Sequence, residues 1–307
     1  MFSFMKNSNT MTYLNNLISI LLLSFLCTLT QAQQVNDINL NDSIPSNGIH
    51  YATKTFESTR VLNGHSNELM PEGQLDFRIE HRFGLINQGS YEFYGLDQAL
   101  IKFALEYGIK DWAMVGINRC VIDKMVSGFA KFSLLKQSSG TKIIPVSATV
   151  LLETSIIGTK WDNPDQKNAF SSRVSYVGQL ILARKFNEHL SLMLAPVWIH
   201  RNLVPTTTDN KDMFALGVAS RYKIFSMASL NAEYYPVLSQ SWDHQNTSFR
   251  NALSFGFEIE TDGHIFQLMV TNSVGMNEKS FITETMGNKW KDDLHLGLNI
   301  SRSFSLK

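Results

Sequence analysis

Cysteine is almost absent, with only Cys27 and Cys120 among 307 residues. That excludes a disulfide scaffold, and with no C-x-x-C or C-x-x-C-H spacing it leaves thiolate zinc sites and haem attachment without ligands. An excess of basic charge is missing too: Lys+Arg and Asp+Glu both count 27. Nothing here tracks a phosphate backbone, and no nucleic-acid partner is expected. Charged residues are scarce at 18%, while 44% of the chain is hydrophobic, so a largely disordered chain is excluded as well. Long apolar runs are also lacking. The longest, Leu17 to Leu29, falls short of the roughly 20 residues that a membrane-crossing helix needs. Further along, the weakly polar stretch from Ile143 to Leu152 is broken by Pro145, Ser147 and Thr149. A membrane protein of this composition must therefore cross with a closed barrel, the other structure that pairs every backbone group in lipid.

The short run at the amino end has a different meaning. A polar stretch with Lys6 precedes it and Thr30-Gln31-Ala32 follows, the anatomy of a secretory signal peptide cleaved after Ala32. Met5-Lys6-Asn7 would also serve as the start of such a peptide. Cys27 is preceded by the bulky Leu26, which does not suit acylation of a lipoprotein. Removal of 1–32 leaves Cys120 as the lone thiol, with no base beside it in sequence to make it a nucleophile. Residues 33–52, rich in Asn and Asp with Pro45 and Gly48, read as a flexible leader.

From residue 75 onward the hydrophobic period is two. Leu75, Phe77, Ile79 and Phe83 alternate with Asp76, Arg78, Glu80 and Arg82, so one face is greasy and the other charged. The pattern recurs to the end of the chain, from Ile101, Phe103 and Leu105 to Leu294, Leu296, Leu298 and Ile300. The connections near 109–111, 186–189, 224–226 and 261–264 are short and that near 137–142 is intermediate. Those near 84–98, 154–172, 200–211, 236–250 and 272–292 are long, and one of middling length lies near 118–124. Short and long connections thus alternate around about twelve strands. The expected fold is all-β: an antiparallel transmembrane-type β-barrel over 75–307, with short turns at one rim and long loops at the other. The chain is divided into a signal peptide (1–32), the leader (33–52), an amino-terminal segment (53–74) packed on or in the barrel, and the barrel itself.

Lipid decides the facing. An Arg near the bilayer midplane costs about 2–4 kcal/mol, so the charged face must turn inward. The candidate lumen-lining residues are Asp76, Arg78, Glu80, Arg82, Lys102, Glu106, Glu233 and Glu258. Alternate polar positions at Ser147, Glu153, Asn231, Glu260, His295 and Asn299 fit the same face. Both signs of charge occur, which suits a salt-bridged, partly filled interior; a charge-selective pore is the sharper alternative. Tyr107, Trp112, Tyr222, Tyr234, Tyr235 and Trp290 fall near strand ends, where aromatic residues belt the membrane interface. The chain closes on Phe304-Ser305-Leu306-Lys307, whose alternation suits a barrel-assembly signal although the terminal residue is not aromatic.

Catalytic signatures are missing: there is no G-x-S-x-G, H-E-x-x-H, G-x-x-x-x-G-K-[ST] or G-x-G-x-x-G. The expectation is no enzyme, no cofactor and no metal. Asn63-Gly64-His65-Ser66-Asn67 places a histidine beside a serine, but adjacent residues suit a turn better than an acyl-transfer pair. Asp162, Asn163 and Asp165 match no calcium-loop spacing and read as solvated loop residues. Matches to the glycosylation sequon at Asn41, Asn246 and Asn299 are at chance level.

Five stretches carry a family resemblance. They are Phe56-Glu57-Ser58-Thr59-Arg60, Asn63-Gly64-His65-Ser66, Leu75-Asp76-Phe77-Arg78-Ile79-Glu80-His81-Arg82-Phe83-Gly84, Tyr94-Gly95-Leu96-Asp97-Gln98-Ala99 and Val115-Gly116-Ile117-Asn118-Arg119. Together they resemble a β-barrel family of Gram-negative envelopes known only as a domain of unknown function. The resemblance runs from about residue 53 to the end and implies an exported outer-membrane barrel; it assigns no activity or catalytic residue. It also suggests that 53–70 tucks into or under the barrel mouth.

The leading expectation is an outer-membrane barrel acting as a small channel or transport component, with long loops outside, lipid around it and a small solute within. The alternatives are a closed structural or partner-docking barrel, an outer-membrane hydrolase, and a soluble secreted barrel with the alternation turned inside out. Oligomeric state is not legible.

Overall fold

The computed structural model describes residues 48–161, 168–204, 209–239, 249–287 and 293–306. The signal peptide, most of the leader, Cys27, Asn41, Asp162, Asn163, Asp165, Asn246 and Trp290 lie outside the described residues.

Among the described residues twelve antiparallel strands close into one barrel. In chain order they are β1 (Gln74–Leu85), β2 (Ala99–Lys110), β3 (Ala113–Cys120), β4 (Val126–Leu135), β5 (Ser147–Ile156) and β6 (Val174–Lys185). They continue with β7 (Leu190–Arg201), β8 (Asp212–Phe225), β9 (Ala228–Tyr235), β10 (Ala252–Thr261), β11 (His264–Thr271) and β12 (His295–Ser305). Each strand pairs with its neighbours in sequence, and β12 closes on β1, from His295 opposite Leu85 to Ser305 opposite Gln74. Closure removes both sheet edges, so no ladder group is left facing lipid.

The two rims differ as the connection lengths implied. The β2–β3, β6–β7, β8–β9 and β10–β11 turns share one rim with the start of β1 and the end of β12. The 136–146 connection belongs to that rim and is long enough to carry a strand of its own. Ser138–Gly140 pairs antiparallel with Ile49–Tyr51, and the Ala52 amide donates to the Gln137 carbonyl at 2.8 Å. The end of the leader is thus held in a small sheet, a departure from the flexible segment expected through residue 52. The strand Ile49–Tyr51 is only three residues long, too short for a readable period, and its pairing partner lies about ninety residues away.

The alternation resolves into an apolar outside and a mixed inside. Phe77, Phe103, Leu105, Ile117, Phe214, Phe255 and Leu268 are exposed on the outer wall, while Asp76, Arg78, Glu80 and Arg82, one residue out of step with Phe77, are buried. A soluble barrel around an apolar ligand would need the reverse, so that alternative is excluded by the facing. Leu268 in β11 sits opposite Phe257 and Leu298 and is 57% exposed on this belt. Replacing it with arginine should destabilise the barrel in bilayers by about 2–4 kcal/mol relative to Leu268→Ala. Denaturant unfolding from vesicles measures this, and equal stability of the two variants would place the β11 outer face away from lipid.

The inner wall is divided. On β10–β12 and β1–β2 it is largely polar, but on β6–β8 the middle of the inner wall is mostly apolar, with Val177, Ile181, Ala183, Met193, Ala195, Val197, Ile199, Met213, Ala215 and Ala219 inward and buried polar residues such as Gln179, Ser191 and Arg221 among and around them. None of the polar positions expected inside lies on β6–β8, and that part of the circumference is where the apolar wall stands. Tyr235 departs from expectation as well. It is fully buried because it shares parity along β9 with the inward Asn231 and Glu233, so it belongs to the interior and not to an interfacial belt. Trp112 and Tyr222 do stand exposed near the rims.

Candidate functional site

Two pieces of chain occupy the barrel interior. The first is the segment that runs from the small sheet to β1. Thr55, Phe56 and Ser58 through Ser66 are all buried. The segment folds into a hairpin: the Val61 amide donates to the Gly64 carbonyl at 2.8 Å, and the Ser66 amide to the Thr59 carbonyl at 3.0 Å. Arg60 lies directly opposite His65. Asn63-Gly64 is therefore part of a tight turn, where Asn and Gly have their usual place. Ser66 Oγ donates to the Ser58 carbonyl at 2.6 Å, so Ser66 and His65 form no nucleophile and base pair.

The second piece is the inner half of the 272–294 connection. Its short helix α1 (Glu278–Thr283) is buried along its whole length. Phe281 and Ile282 pack on the apolar wall with Val177, Val197, Ile199 and Tyr235, and the Phe281 and Tyr235 rings meet edge-on at 5.0 Å. The expectation that long loops stand outside fails for this one. Periodicity cannot locate a six-residue helix, and its two apolar side chains pack on an apolar wall that forms only when the sheet closes.

All eight residues proposed from the sequence as lumen-lining have buried side chains, and most of them meet these two pieces. Glu233 accepts from the Asn63 amide at 2.8 Å and the Gly64 amide at 3.1 Å. Arg82 donates to Asn63 Oδ1 at 2.5 Å and to Asn299 Oδ1 at 2.9 Å. Arg78 donates to Ser58 Oγ at 2.6 Å and lies 3.5 Å from Asp76. Glu106 accepts from Thr59 Oγ1 at 2.5 Å. Lys102 pairs with Glu80 at 2.9 Å and donates to the Met276 carbonyl. Glu258 accepts from Gln267 at 2.6 Å, and Gln267 also donates to the Val61 carbonyl at 2.9 Å. Asn299, one of the sequon positions, holds the Leu62 carbonyl at 2.9 Å inside the barrel.

Other participants escaped the sequence reading. Lys131 on β4 donates to the Glu68 carbonyl at 2.6 Å, and Arg221 on β8 pairs with Glu57. Both keep strict inward parity with their strand neighbours, which would have identified them. Arg60 had no such signal. Its guanidinium lies 3.1 Å from Glu278 and 3.8 Å from Glu106, and donates to the Asn63 carbonyl at 3.0 Å. Burial opposes its charge, but Glu278, Glu80, Glu106 and Glu153 outweigh that and raise its pKa. Beside it, burial first and then the charges of Arg60, Lys131, Lys102 and Arg78 push the His65 imidazole well below the usual histidine range.

The apolar side of the hairpin is just as specific. Phe56, Val61 and Leu62 pack on Ile181, Ala183, Met193, Ala195, Ala219 and Met269. A Cβ at Gly256 on β10 would come within 2.5 Å of Leu62 Cδ2, so the absence of a side chain there makes room for the hairpin. At the short-turn end a cavity of about 270 Å³ remains, lined in part by Lys54, Glu57, Glu68, Asp76 and Arg78. It ends against Phe56 and Thr59 of the hairpin.

The solved structures to which the chain is similar include two porins and an outer membrane channel, all of low sequence identity. The NanC porin is 10% identical, with a TM-score of 0.46 over 75% of this chain and 98% of its own. The KdgM porin is 9% identical, with a TM-score of 0.44 over 75% and 99%. An outer membrane channel from Pseudomonas putida F1 is 11% identical, with a TM-score of 0.43 over 78% and 98%. No curated protein matches the chain. The family match is specific where these are general: a model of a membrane-bound β-barrel domain, DUF5777, aligns with residues 56–304, taking in the hairpin as well as almost all of the barrel. The chain belongs to the DUF5777 family of membrane-bound β-barrel domains.

Proposed function

We propose that this protein is an outer-membrane channel or transport component for a small polar solute, exported by a cleaved signal peptide and held shut by its own 53–70 hairpin. One observation carries the reading. The hairpin meets the wall on β9, β11, β12, β1 and β2 through hydrogen bonds to Glu233, Gln267, Asn299, Arg78, Arg82 and Glu106. Water can replace such bonds one for one, and each is worth about 0.5–1.5 kcal/mol net, or about 1.5–3 kcal/mol where a charged group takes part, as at Arg78, Arg82, Glu106 and Glu233. Displacing the hairpin would uncover a hydrated wall, which a permeating solute can use, where a dry aliphatic seam would simply close again. In this reading the short-turn rim and the small sheet face the periplasm, the long loops face outward, and Asp76, Arg78, Glu80 and Arg82 set the field of the opened path.

The inward fold of 272–287 favours a second reading, a barrel closed for structural or docking purposes, because it fills the interior from the opposite end. Planar-bilayer recording separates the two. The intact barrel should be silent or open rarely, and a chain lacking 53–70 should show steady, discrete conductance whose ion selectivity changes when Arg78 and Arg82 are replaced by alanine. Silence of a correctly folded deletion variant would overturn the channel reading in favour of the structural one.

A further inference from the structure

Where the two interior pieces meet, three side chains from three separate parts of the chain converge. Arg60 and His65 stand opposite each other across the hairpin and meet the same face of the interior. There they approach Glu153 of β5 and Glu278 of α1. One nitrogen of His65 and one oxygen from each glutamate all lie within 4.8 Å of one another. All three residues are at least nine-tenths buried.

Their hydrogen bonding is incomplete. Neither ring nitrogen of His65 has a hydrogen-bond partner among the described residues, and Oε2 of Glu153 and Oε2 of Glu278 have none either. The remaining oxygens are engaged: Glu153 Oε1 accepts from Ser155 at 2.9 Å, and Glu278 Oε1 receives Arg60 Nη1 at 3.1 Å. Polar atoms buried without partners are costly and call for an occupant. The ring is also held in place, edge-on to Phe129 at 4.6 Å, so it can present a nitrogen without much further ordering.

The donor chemistry narrows the occupant. One imidazole and two carboxylates form a mixed nitrogen and oxygen set that suits a borderline divalent ion better than a hard one such as calcium, which takes six to eight oxygens. In a tetrahedral zinc site with bonds of about 2.0–2.2 Å, ligand atoms stand roughly 3.3 Å apart. His65 Nε2 is already 3.6 Å from Glu278 Oε1, the oxygen that also receives Arg60, and from separations of at most 4.8 Å the ligand atoms need to close by up to about 1.5 Å to reach the tetrahedral spacing. Arg60 opposes a cation here, and so do the charges of Lys131, Lys102 and Arg78 that act on His65. Glu80 and Glu106, buried close by, offset the charge of Arg60.

We propose that His65, Glu153 and Glu278 form a binding site for a single Zn²⁺ ion. The hairpin, the barrel wall and the inward loop each supply one ligand, and the fourth position is left to water, as in three-ligand zinc sites. The ion joins the two interior pieces to each other and to the barrel, so zinc favours the filled interior. The site does not depend on the channel reading, since a permanently closed barrel would hold the ion equally well.

Purified full-length barrel, stripped with a chelator in detergent, is titrated with Zn²⁺ by calorimetry, and with Co²⁺ to read the visible absorption that reports four-coordination. The expected result is one ion per chain, with affinity falling at least tenfold in His65→Ala, Glu278→Gln and the near-isosteric Glu153→Gln; loss of a partner that merely orients a ligand already costs about 10–100-fold. Heat-modified gel mobility shows which variants retain the barrel. The exposed His200–Asp212 pair at the rim supplies the competing explanation, so the same titration is run on a His200→Ala background. No zinc bound by the parent chain, or binding that survives in folded His65→Ala and Glu153→Gln but disappears with His200→Ala, would overturn the proposal.

Discussion

Gly64→Val should convert a silent barrel into a conducting one. A Cβ at this position would lie 1.8 Å from the Tyr235 hydroxyl oxygen and 2.7 Å from Cζ of the same ring. The tyrosine has no room to retreat. It is fully buried, meets Phe281 edge-on, and on its other side lies so close to Gly217 that a Cβ there would be 2.6 Å from the ring. The hairpin must therefore leave its seat, giving up the grip of its two turn amides on Glu233. The strand ladder does not involve residue 64, so the barrel itself should stay folded and heat-modifiable. Steady conductance in planar bilayers checks the prediction. Gly64→Ala combined with Tyr235→Phe, which removes the oxygen of closest approach, should conduct less. A folded Gly64→Val barrel that stays silent would mean that the inward loop seals the interior without the hairpin.

Arg60→Ala should be the most destabilising single change in the interior, at about 3–5 kcal/mol, because it leaves buried carboxylates without their counter-charge. Glu278 loses a contact of 3.1 Å and Glu106 one of 3.8 Å, and the Asn63 carbonyl loses its donor. Arg60→Lys should recover only part of the loss, since an ammonium cannot reach Glu278, Glu106 and the carbonyl from one planar group. Reversible denaturant unfolding in vesicles measures both variants. A loss below about 1 kcal/mol for Arg60→Ala would mean that water reaches these carboxylates and that the interior is wetter than its packing implies.

Glu278 and Arg60 also mark where sequence reasoning stopped. Strand positions were legible wherever the two faces differ in polarity, as in β1, where Asp76, Arg78, Glu80 and Arg82 alternate with apolar residues. They were legible in neither direction on β7, where Met193, Ala195, Val197 and Ile199 point inward and Leu192, Leu194 and Trp198 point outward. A strand apolar on both faces has no period to read, so the apolar inner wall that receives Phe56, Leu62 and Phe281 stayed hidden. Tyr235 was misplaced for another reason: its nearness to a strand end was weighed over its parity with Glu233. Arg60, His65 and Glu278 lie outside the barrel strands, and their meeting depends on contacts across as many as 218 residues of chain.

The sequence by itself determined the class and the plan: an all-β barrel, because a period of two recurs between connections that alternate short and long, with about twelve strands, a short-turn rim, and charges on the face opposite the apolar one. Those properties follow from local periodicity and connection length. Only the tertiary structure decided that the amino-terminal segment, expected on or in the barrel, lies inside it as a hairpin, that one long loop joins it there, and that His65, Glu153 and Glu278 meet between them. Closing the sheet brings distant residues within a few ångströms, and no local pattern records which of them will share the enclosed space.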